Sequence, residues 1–172
     1  MPGGGKSTIG RQLSKRLGLP FADTDSVIES RLRVSIRSFF EEQGEEAFRD
    51  IEQATIEELT LINCGVLATG GGAVLRQANR DALKQRSTVV YLRSTPEELF
   101  RRMRHDTQRP LLQVKDPLAR LRELYAQRDP LYASTAHYVV ETGRPSVPIL
   151  VNMIIMQLEL AGIAHEPRAL DD

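Results

Sequence analysis

The stretch MPGGGKST, residues 1–8, decides the fold of this chain. It carries the second half of the pattern G-x-x-x-x-G-K-[ST], in which backbone N–H groups cradle phosphates, the lysine reaches the outer phosphates and the hydroxyl ligates Mg²⁺. Gly5, Lys6 and Ser7 supply that half. Taken alone, these residues are equally compatible with a flexible, solvated N-terminus.

The residues that follow favour the phosphate-binding interpretation. Ile9, Leu13 and Leu17 recur at helical spacing, and Gly18 stands where a helix C-cap is expected. The glycine run therefore leads directly into a helix, whose N-terminal amides and dipole attract bound phosphate.

Length and composition exclude several classes of protein. With 172 residues, 41% hydrophobic and 27% charged, the chain is expected to form one globular domain over residues 1–163, followed by a flexible tail at 164–172. The formal net charge is zero, so we expect neither nucleic acid nor a membrane surface as a partner. Most of the 23 basic residues are arginine, which is weak support for an anionic substrate.

Cysteine content and hydropathy predict a cytoplasmic protein. Cys64 is the single cysteine, which excludes an internal disulfide framework and suits a reducing compartment. We recognise no signal peptide ahead of the loop. The apolar stretch from Ile149 is interrupted by Asn152, Gln157 and Glu159, which predicts a packed terminal helix rather than a membrane span.

Short apolar runs alternate with longer helical patterns, which predicts an α/β fold with a parallel sheet and crossover helices. The predicted strands lie near Phe21, Val66, Val89 and Val139. Six helices are predicted. The first follows Lys6, the second and third span about 35–61 and 76–85, and the fourth begins at the start signal STPEE (94–98). The fifth runs from Asp116 until Pro130 ends it, and the last begins at Ile149.

Ligands in such a sheet bind outside the carboxyl ends of the strands, which locates the next candidates. Asp23 and Asp25 end the first visible strand, and one carboxylate is expected on a hydrated metal and the other on a substrate hydroxyl. The alternative is an N-cap for a helix beginning near Ser26. A run of three glycines, 70–72, ends the second strand and allows backbone to approach a ligand.

Two arginines and one long segment complete the candidates. Arg49 has Glu52 at i+3, for which a surface ion pair is the ordinary interpretation. Arg128 precedes Pro130 and is equally suited to a helix C-terminus. The segment RHDTQRPLLQVKD (104–116) has little periodicity, so either a lid or a surface excursion is expected.

Together, in this order, the motifs GGGKST, FADTD, FFEEQGEEAFRDIE, ATGGGAV, RPLL and QRDPLY resemble shikimate kinase, a small member of the P-loop nucleoside-monophosphate-kinase-like group. The resemblance extends from Pro2 to about Ala161. It implies a three-layer P-loop fold, with a parallel sheet between helices and a lid at about 103–117. It also implies a monomer that uses ATP and Mg²⁺ to phosphorylate the 3-hydroxyl of shikimate, toward chorismate and the aromatic amino acids.

The resemblance also implies roles on the nucleotide side. Lys6 neutralises the transferring group, Arg109 swings onto the phosphates from the lid, and Arg102 borders the adenine with Arg144 and Pro145. Ser7 ligates Mg²⁺, and Asp23 acts through the water shell of the metal. The residues that hold the nucleotide phosphates are Gly3, Gly4, Gly5, Lys6, Ser7 and Thr8.

On the substrate side, the resemblance implies that Asp25 accepts hydrogen bonds from shikimate hydroxyls and orients or deprotonates the attacking oxygen. Arg49 and Arg128 grip the carboxylate, and Glu52 holds Arg49 in place. The backbone of Gly70, Gly71 and Gly72 lies alongside the substrate.

One departure from the family concerns the start of the sequence. The family places a buried hydrophobic strand and a glycine ahead of PGGGKST, and both are absent here. We expect that strand to be central, between those near Val66 and Val89, and its absence to lower stability and activity.

Two other functions remain open from the residues. A gluconate-kinase-like or other small-metabolite P-loop kinase would share the loop and the lid. A binding module that keeps affinity for shikimate or nucleotide without turnover would belong to a different functional class.

Overall fold

A computed structural model describes residues 4–62, 65–104 and 113–163 of the chain. Helices and strands alternate along these ranges, as the sequence predicts. The strands are β1 (Phe21–Asp23), β2 (Val66–Ala68), β3 (Val90–Arg93) and β4 (Tyr138–Glu141). The helices are α1 (Lys6–Leu17), α2 (Thr24–Leu32), α3 (Ile36–Ile62), α4 (Gln77–Arg86), α5 (Pro96–Met103), α6 (Pro117–Thr135) and α7 (Val147–Leu160).

The strands pair in parallel, as expected of a crossover fold, but they form two pairs rather than one sheet. Phe21 of β1 lies opposite Val66 of β2, and Val90 of β3 lies opposite Tyr138 of β4. Within the described ranges, β2 and β3 are not hydrogen-bonded to each other. The parallel pairing is as predicted, and the break between the two pairs lies between β2 and β3, the strands near Val66 and Val89 for which the sequence predicts no shared partner.

A cavity of about 420 Å³ lies between β2 and β3. Its walls include the segments 65–71 and 87–92, and apolar side chains of α1 and α7 close one side, among them Leu13 and Leu158. We call this space the strand cleft. Because the N-terminal turn of α1 also contacts it through Lys6, the strand cleft adjoins the predicted phosphate loop.

Helix ends follow local sequence signals. Gly18 adopts a left-handed conformation, with a φ of 64°, at the end of α1, and its N–H bonds back into the last turn. Thr95 and Glu98 form a reciprocal capping box at the start of α5. Helix α3 kinks at Gly44, whose φ of 83° is a conformation that side-chain-bearing residues rarely adopt.

The expected end of α6 at Pro130 was wrong, because the helix continues through this proline to Thr135. Pro130 removes one backbone N–H from the helix interior. The turn that follows is held by other contacts, since Tyr132 and Thr135 are buried and the Thr135 hydroxyl donates to the Leu131 carbonyl at 2.7 Å. Tertiary packing therefore outweighs the local signal to stop.

Two larger apolar clusters form most of the core. Helix α7 packs on α1, with Val151, Ile154 and Ile9 almost fully buried. Leu99 of α5 and Leu121 of α6 are buried in the second cluster. The terminal apolar stretch is thus a packed helix, as predicted, and none of the helices in the described ranges is long and apolar enough to cross a membrane.

Candidate active site

The predicted phosphate loop adopts a conformation that suits an anion. Gly4 is buried and Gly5 is left-handed, with a φ of 74°. Gly5 is also the N-cap of α1, which begins at Lys6. The Gly5 carbonyl accepts the first helical hydrogen bond from Ile9 N–H at 3.0 Å. Ser7 and Thr8 therefore lie in the first turn of a helix with free N–H groups, while Gly3 lies outside the described residues.

The two residues predicted to serve the metal meet in the structure. The Ser7 hydroxyl donates to Oδ2 of Asp23 in a short contact. Oδ1 of Asp23 accepts from the N–H groups of Asp25 and Ser26 at 3.0 and 3.2 Å, and so caps α2. The N-cap and the metal-site interpretations of Asp23 are both compatible with this geometry, because each uses a different oxygen of the same carboxylate.

Asp25 lies half-buried beside the glycine loop. A Cβ placed on Gly70 would come within 2.6 Å of Oδ1 of Asp25, so the absence of a side chain there permits this approach. The pKa of Asp25 is raised from 3.8 to about 6, chiefly by burial and to a smaller extent by the nearby carboxylates of Asp23 and Glu52, against the lowering effect of the Lys6 charge. The group is thus poised to exchange a proton near neutral pH.

Arg49 is held on the inner face of α3 by an ion pair with Glu52. Nη1 of Arg49 donates to Oε2 of Glu52 at 2.6 Å, and the side chains are 10% and 1% exposed. Glu45, one turn earlier, accepts from Nη2 at 3.1 Å. The guanidinium also lies 5.9 Å from the ring centre of Phe40 and 5.4 Å from that of Phe48. The predicted partner of Arg49 is present, and the pair is buried rather than on the surface.

The glycine loop lies against this arginine. A Cβ on Gly72 would overlap the guanidinium of Arg49, so only glycine fits at this position without displacing the arginine. The carbonyl of Gly71 accepts a hydrogen bond from the Tyr132 hydroxyl of α6 at 2.5 Å. Arg128 lies one turn before Tyr132 on α6, and its charge acts on the same hydroxyl. The structure therefore brings Asp25, Arg49, Arg128 and the glycine loop to one region.

Thr24 is a site residue that the sequence reasoning missed. Its side chain is fully buried, and its hydroxyl accepts from the Gly70 N–H at 3.0 Å. This bond fixes the glycine loop to the start of α2, between the two aspartates. The sequence signal for Thr24 is its position between the two candidate aspartates. Side chains alternate along an extended strand, however, so this position predicts that Thr24 points away from Asp23 and Asp25.

The residues expected near the adenine form a second group. Nη1 of Arg102 donates to the Ser94 hydroxyl at 3.2 Å, and Nη2 makes a short contact with the Thr142 carbonyl. Arg144 and Pro145 follow Thr142 in the loop after β4. This loop therefore lies beside α5, as the predicted adenine site requires. Arg109 and lid residues 105–112 lie outside the described residues, so the structure does not place them.

These observations fit a nucleotide with a hydrated Mg²⁺. The start of α1 presents N–H groups and Lys6, and the Ser7–Asp23 pair supplies a hydroxyl and a carboxylate, the oxygen ligands that Mg²⁺ prefers. Among the residues that the structure describes, no group of three or more His, Cys, Asp or Glu is arranged to hold a metal. Mg²⁺ commonly binds through one or two carboxylates together with substrate phosphates.

Comparison with known proteins gives the family that the sequence motifs resemble. A family model described as "Shikimate kinase" matches residues 2–159. The chain belongs to the shikimate kinase family. A shikimate kinase of Paracidovorax citrulli is 59% identical over 95% of this chain and 91% of its own length. A shikimate kinase of Ralstonia nicotianae is 55% identical over 97% of this chain and 88% of its own.

Solved structures of shikimate kinases share the fold. The Acinetobacter baumannii shikimate kinase in complex with shikimate matches with a TM-score of 0.86 and 44% identity, over 93% of this chain and 89% of that one. The Bacteroides thetaiotaomicron shikimate kinase matches with a TM-score of 0.84 and 31% identity, over 92% and 94%. The P-loop fold expected from the sequence is thereby confirmed.

Proposed function

We propose that this chain transfers the γ-phosphoryl group of ATP to the 3-hydroxyl of shikimate and forms shikimate 3-phosphate, a step toward chorismate and the aromatic amino acids. The observation that carries the proposal is the buried Arg49–Glu52 pair against Gly72, close to Asp25. It offers a cation for a carboxylate and an acceptor for a hydroxyl in one pocket. Membership of the shikimate kinase family supports the same substrate.

On the nucleotide side, the N–H groups of residues 3–8 and the ammonium of Lys6 bind the phosphates. When bound, ATP supplies the transferable phosphoryl group, and Mg²⁺ neutralises part of its charge. Ser7 and Asp23, which are in contact, would hold the hydrated metal, Ser7 through its hydroxyl and Asp23 through its carboxylate. Phosphoryl transfer needs little covalent participation from the protein, so these residues act by positioning and charge stabilisation.

On the substrate side, Arg49 and Arg128 bind the carboxylate through charge-assisted hydrogen bonds, alongside the backbone of Gly70, Gly71 and Gly72. Asp25 accepts the hydrogen bond of the attacking hydroxyl and takes its proton as the new O–P bond forms. A pKa of about 6 leaves Asp25 ionised at neutral pH and able to act as an acceptor.

The lid, about 103–117, is proposed to bring Arg109 onto the phosphates and to exclude water that would hydrolyse ATP. Arg102, Arg144 and Pro145 are proposed to border the adenine, supported by the contacts of Arg102 with Ser94 and Thr142. We further propose that residues 1–163 form a single kinase domain that works as a monomer in the cytoplasm; the tail predicted at 164–172 lies outside the described residues.

The test is a coupled assay of ADP release with ATP, Mg²⁺ and either shikimate or gluconate. We expect shikimate-dependent release of one ADP per shikimate consumed, and loss of turnover in Lys6→Met with an unchanged melting temperature. Release with gluconate and none with shikimate would assign a different kinase. Thermal stabilisation by shikimate without any ADP release would instead assign a binding module, because a ligand at a hundred times its Kd stabilises by about 2.7 kcal/mol.

A further inference from the structure

Tyr132 of α6 joins two parts of the site that are far apart in sequence. Its side chain is 9% exposed, and its hydroxyl donates to the Gly71 carbonyl across 61 positions of the chain. Tyr132 lies four residues after Arg128, so both side chains project from the same face of α6. One residue thus contacts the glycine loop and shares a helix face with an arginine of the proposed carboxylate site.

The ring of Tyr132 is fixed from behind. It stacks on Tyr91 of β3 with ring centres 4.9 Å apart, and the Tyr91 hydroxyl donates to Asp129 at 2.9 Å. Asp129 also accepts from Nη2 of Arg93 at 2.8 Å. Because Asp129 directly follows Arg128, these contacts tie this turn of α6 to β3 while Tyr132 ties the next turn to the glycine loop.

Displacement of the glycine loop would reach Arg49. Gly72, the next residue after the hydrogen-bonded Gly71, lies so close to the Arg49 guanidinium that a methyl group would not fit between them. The charges of Arg128, Glu52 and Arg49 all act on the Tyr132 hydroxyl. Burial raises the pKa of this hydroxyl above its ordinary value, so it stays protonated and remains a donor to Gly71.

We propose that Tyr132 is a positioning residue for carboxylate recognition, which it serves by holding the Gly71 backbone against α6 so that Arg49 and Arg128 face one substrate carboxylate. This inference rests on the proposed function. Tyr132 acts through Gly71 and the two arginines and does not react with substrate. It therefore sets the affinity for the acid group rather than the transfer step.

The test is Tyr132→Phe in the full chain, which removes the hydroxyl and keeps the ring that stacks on Tyr91. The net value of one hydrogen bond predicts a rise in the KM for shikimate of roughly three- to tenfold. We expect the KM for ATP and kcat to stay near the wild-type values, and the melting temperature to fall by only about 2–4 °C because the Gly71 carbonyl loses its donor. Tyr138→Phe, which removes a hydroxyl from β4 beside the α1–α7 cluster, is the matched control.

A second measurement uses the methyl ester of shikimate, which lacks the negative charge. The wild-type preference for the acid over the ester should fall in Tyr132→Phe by the same factor as the KM for shikimate rises. An unchanged KM for shikimate, or equal rises in the KM for shikimate and the KM for ATP, would overturn the positioning role alone. Absence of shikimate turnover in the wild-type chain would overturn the proposed function and this inference with it.

Discussion

At the carboxyl ends of β1 and β2, hydrogen bonds link α1, α2 and α6 to the strand ends and the glycine loop. The strand cleft between β2 and β3, in contrast, is lined mostly by apolar side chains and strand backbone. In the site, Asp23 contacts α1, Thr24 contacts the glycine loop, and Tyr132 reaches that loop from α6. In the cleft, β2 and β3 make no bonds to each other within the described ranges. The two regions meet at Gly70, Gly71 and Tyr132, which belong to the site and also line the cleft.

The difference teaches that the substrate half of the site and the phosphate loop depend on different parts of the fold. Arg49 and Glu52 are held to each other by an ion pair within α3, and neither they nor Asp25 line the cleft. Lys6, in contrast, stands on a helix that borders the cleft, where the sheet offers no continuous support. We therefore expect changes at the cleft to affect turnover and stability, and changes at Arg49 to lower the affinity for shikimate but not for ATP.

The largest effect is expected from filling the strand cleft. Adding a hydrophobic segment of about 5–6 residues and a glycine ahead of Met1 should supply a strand that pairs with both β2 and β3. Buried polar backbone groups cost about 1–3 kcal/mol each when unpaired, so the gain in unfolding free energy should be on the order of 5 kcal/mol. Thermal or urea unfolding measures it, and shikimate-dependent ADP release should rise as well because the phosphate loop is then held at both ends.

A segment of the same length made of Gly and Ser is the matched control, because it extends the chain without apolar side chains or β propensity. The comparison of the two regions fails if both extended chains unfold with the same free energy as the present one. In that case the unfilled cleft does not lower the unfolding free energy, and α1 alone must support the phosphate loop.

The second effect concerns the substrate half. Arg49→Ala should weaken the binding free energy of shikimate by about 2–5 kcal/mol, because the carboxylate loses a buried charged partner and Glu52 is left buried without its cation. Calorimetric titration with shikimate and with ATP separates the two ligands. The matched control is Arg37→Ala, which removes the exposed i,i+4 ion pair of Arg37 with Glu41 from the same helix and should change neither affinity. Equal loss of ATP and shikimate affinity in Arg49→Ala would place the carboxylate site elsewhere.

Much of this arrangement is predictable from local sequence. Gly18 ends α1, and Thr95 with Glu98 begins α5, because the signals for these helix ends act within one turn. The pairing of Arg49 with Glu52 follows from their i+3 spacing. The convergence of the phosphate loop, the two aspartates and the glycine run follows from the rule that strand ends meet at one edge.

The rest depends on contacts between distant parts of the chain. Continuation of α6 past Pro130 depends on buried packing and on the Tyr132–Gly71 bond, which no local signal indicates. Thr24 supports the glycine loop because its hydroxyl reaches a backbone amide 46 positions away. That Arg49 and Glu52 are buried, rather than exposed on the surface, likewise depends on the elements that cover them.

The smallest effect concerns stability and pH at Asp25. Its pKa in the folded chain, about 6, lies above the ordinary value of 3.8, so between pH 4 and 6 the folded state binds more protons than the unfolded state. Unfolding free energy should therefore fall as the pH rises through this window, and Asp25→Asn should remove that loss.

The two-unit shift corresponds to about 3 kcal/mol, and partial exposure reduces the expected gain at pH 7.5 to about 1–2 kcal/mol, declining to near zero at pH 4. Urea unfolding of wild type, Asp25→Asn and the exposed control Asp81→Asn across this range measures it. A stability gain in Asp25→Asn that is the same at pH 4 and pH 7.5 would show that burial does not hold this carboxyl in its neutral form, and would remove the physical basis for Asp25 as a base poised near neutral pH.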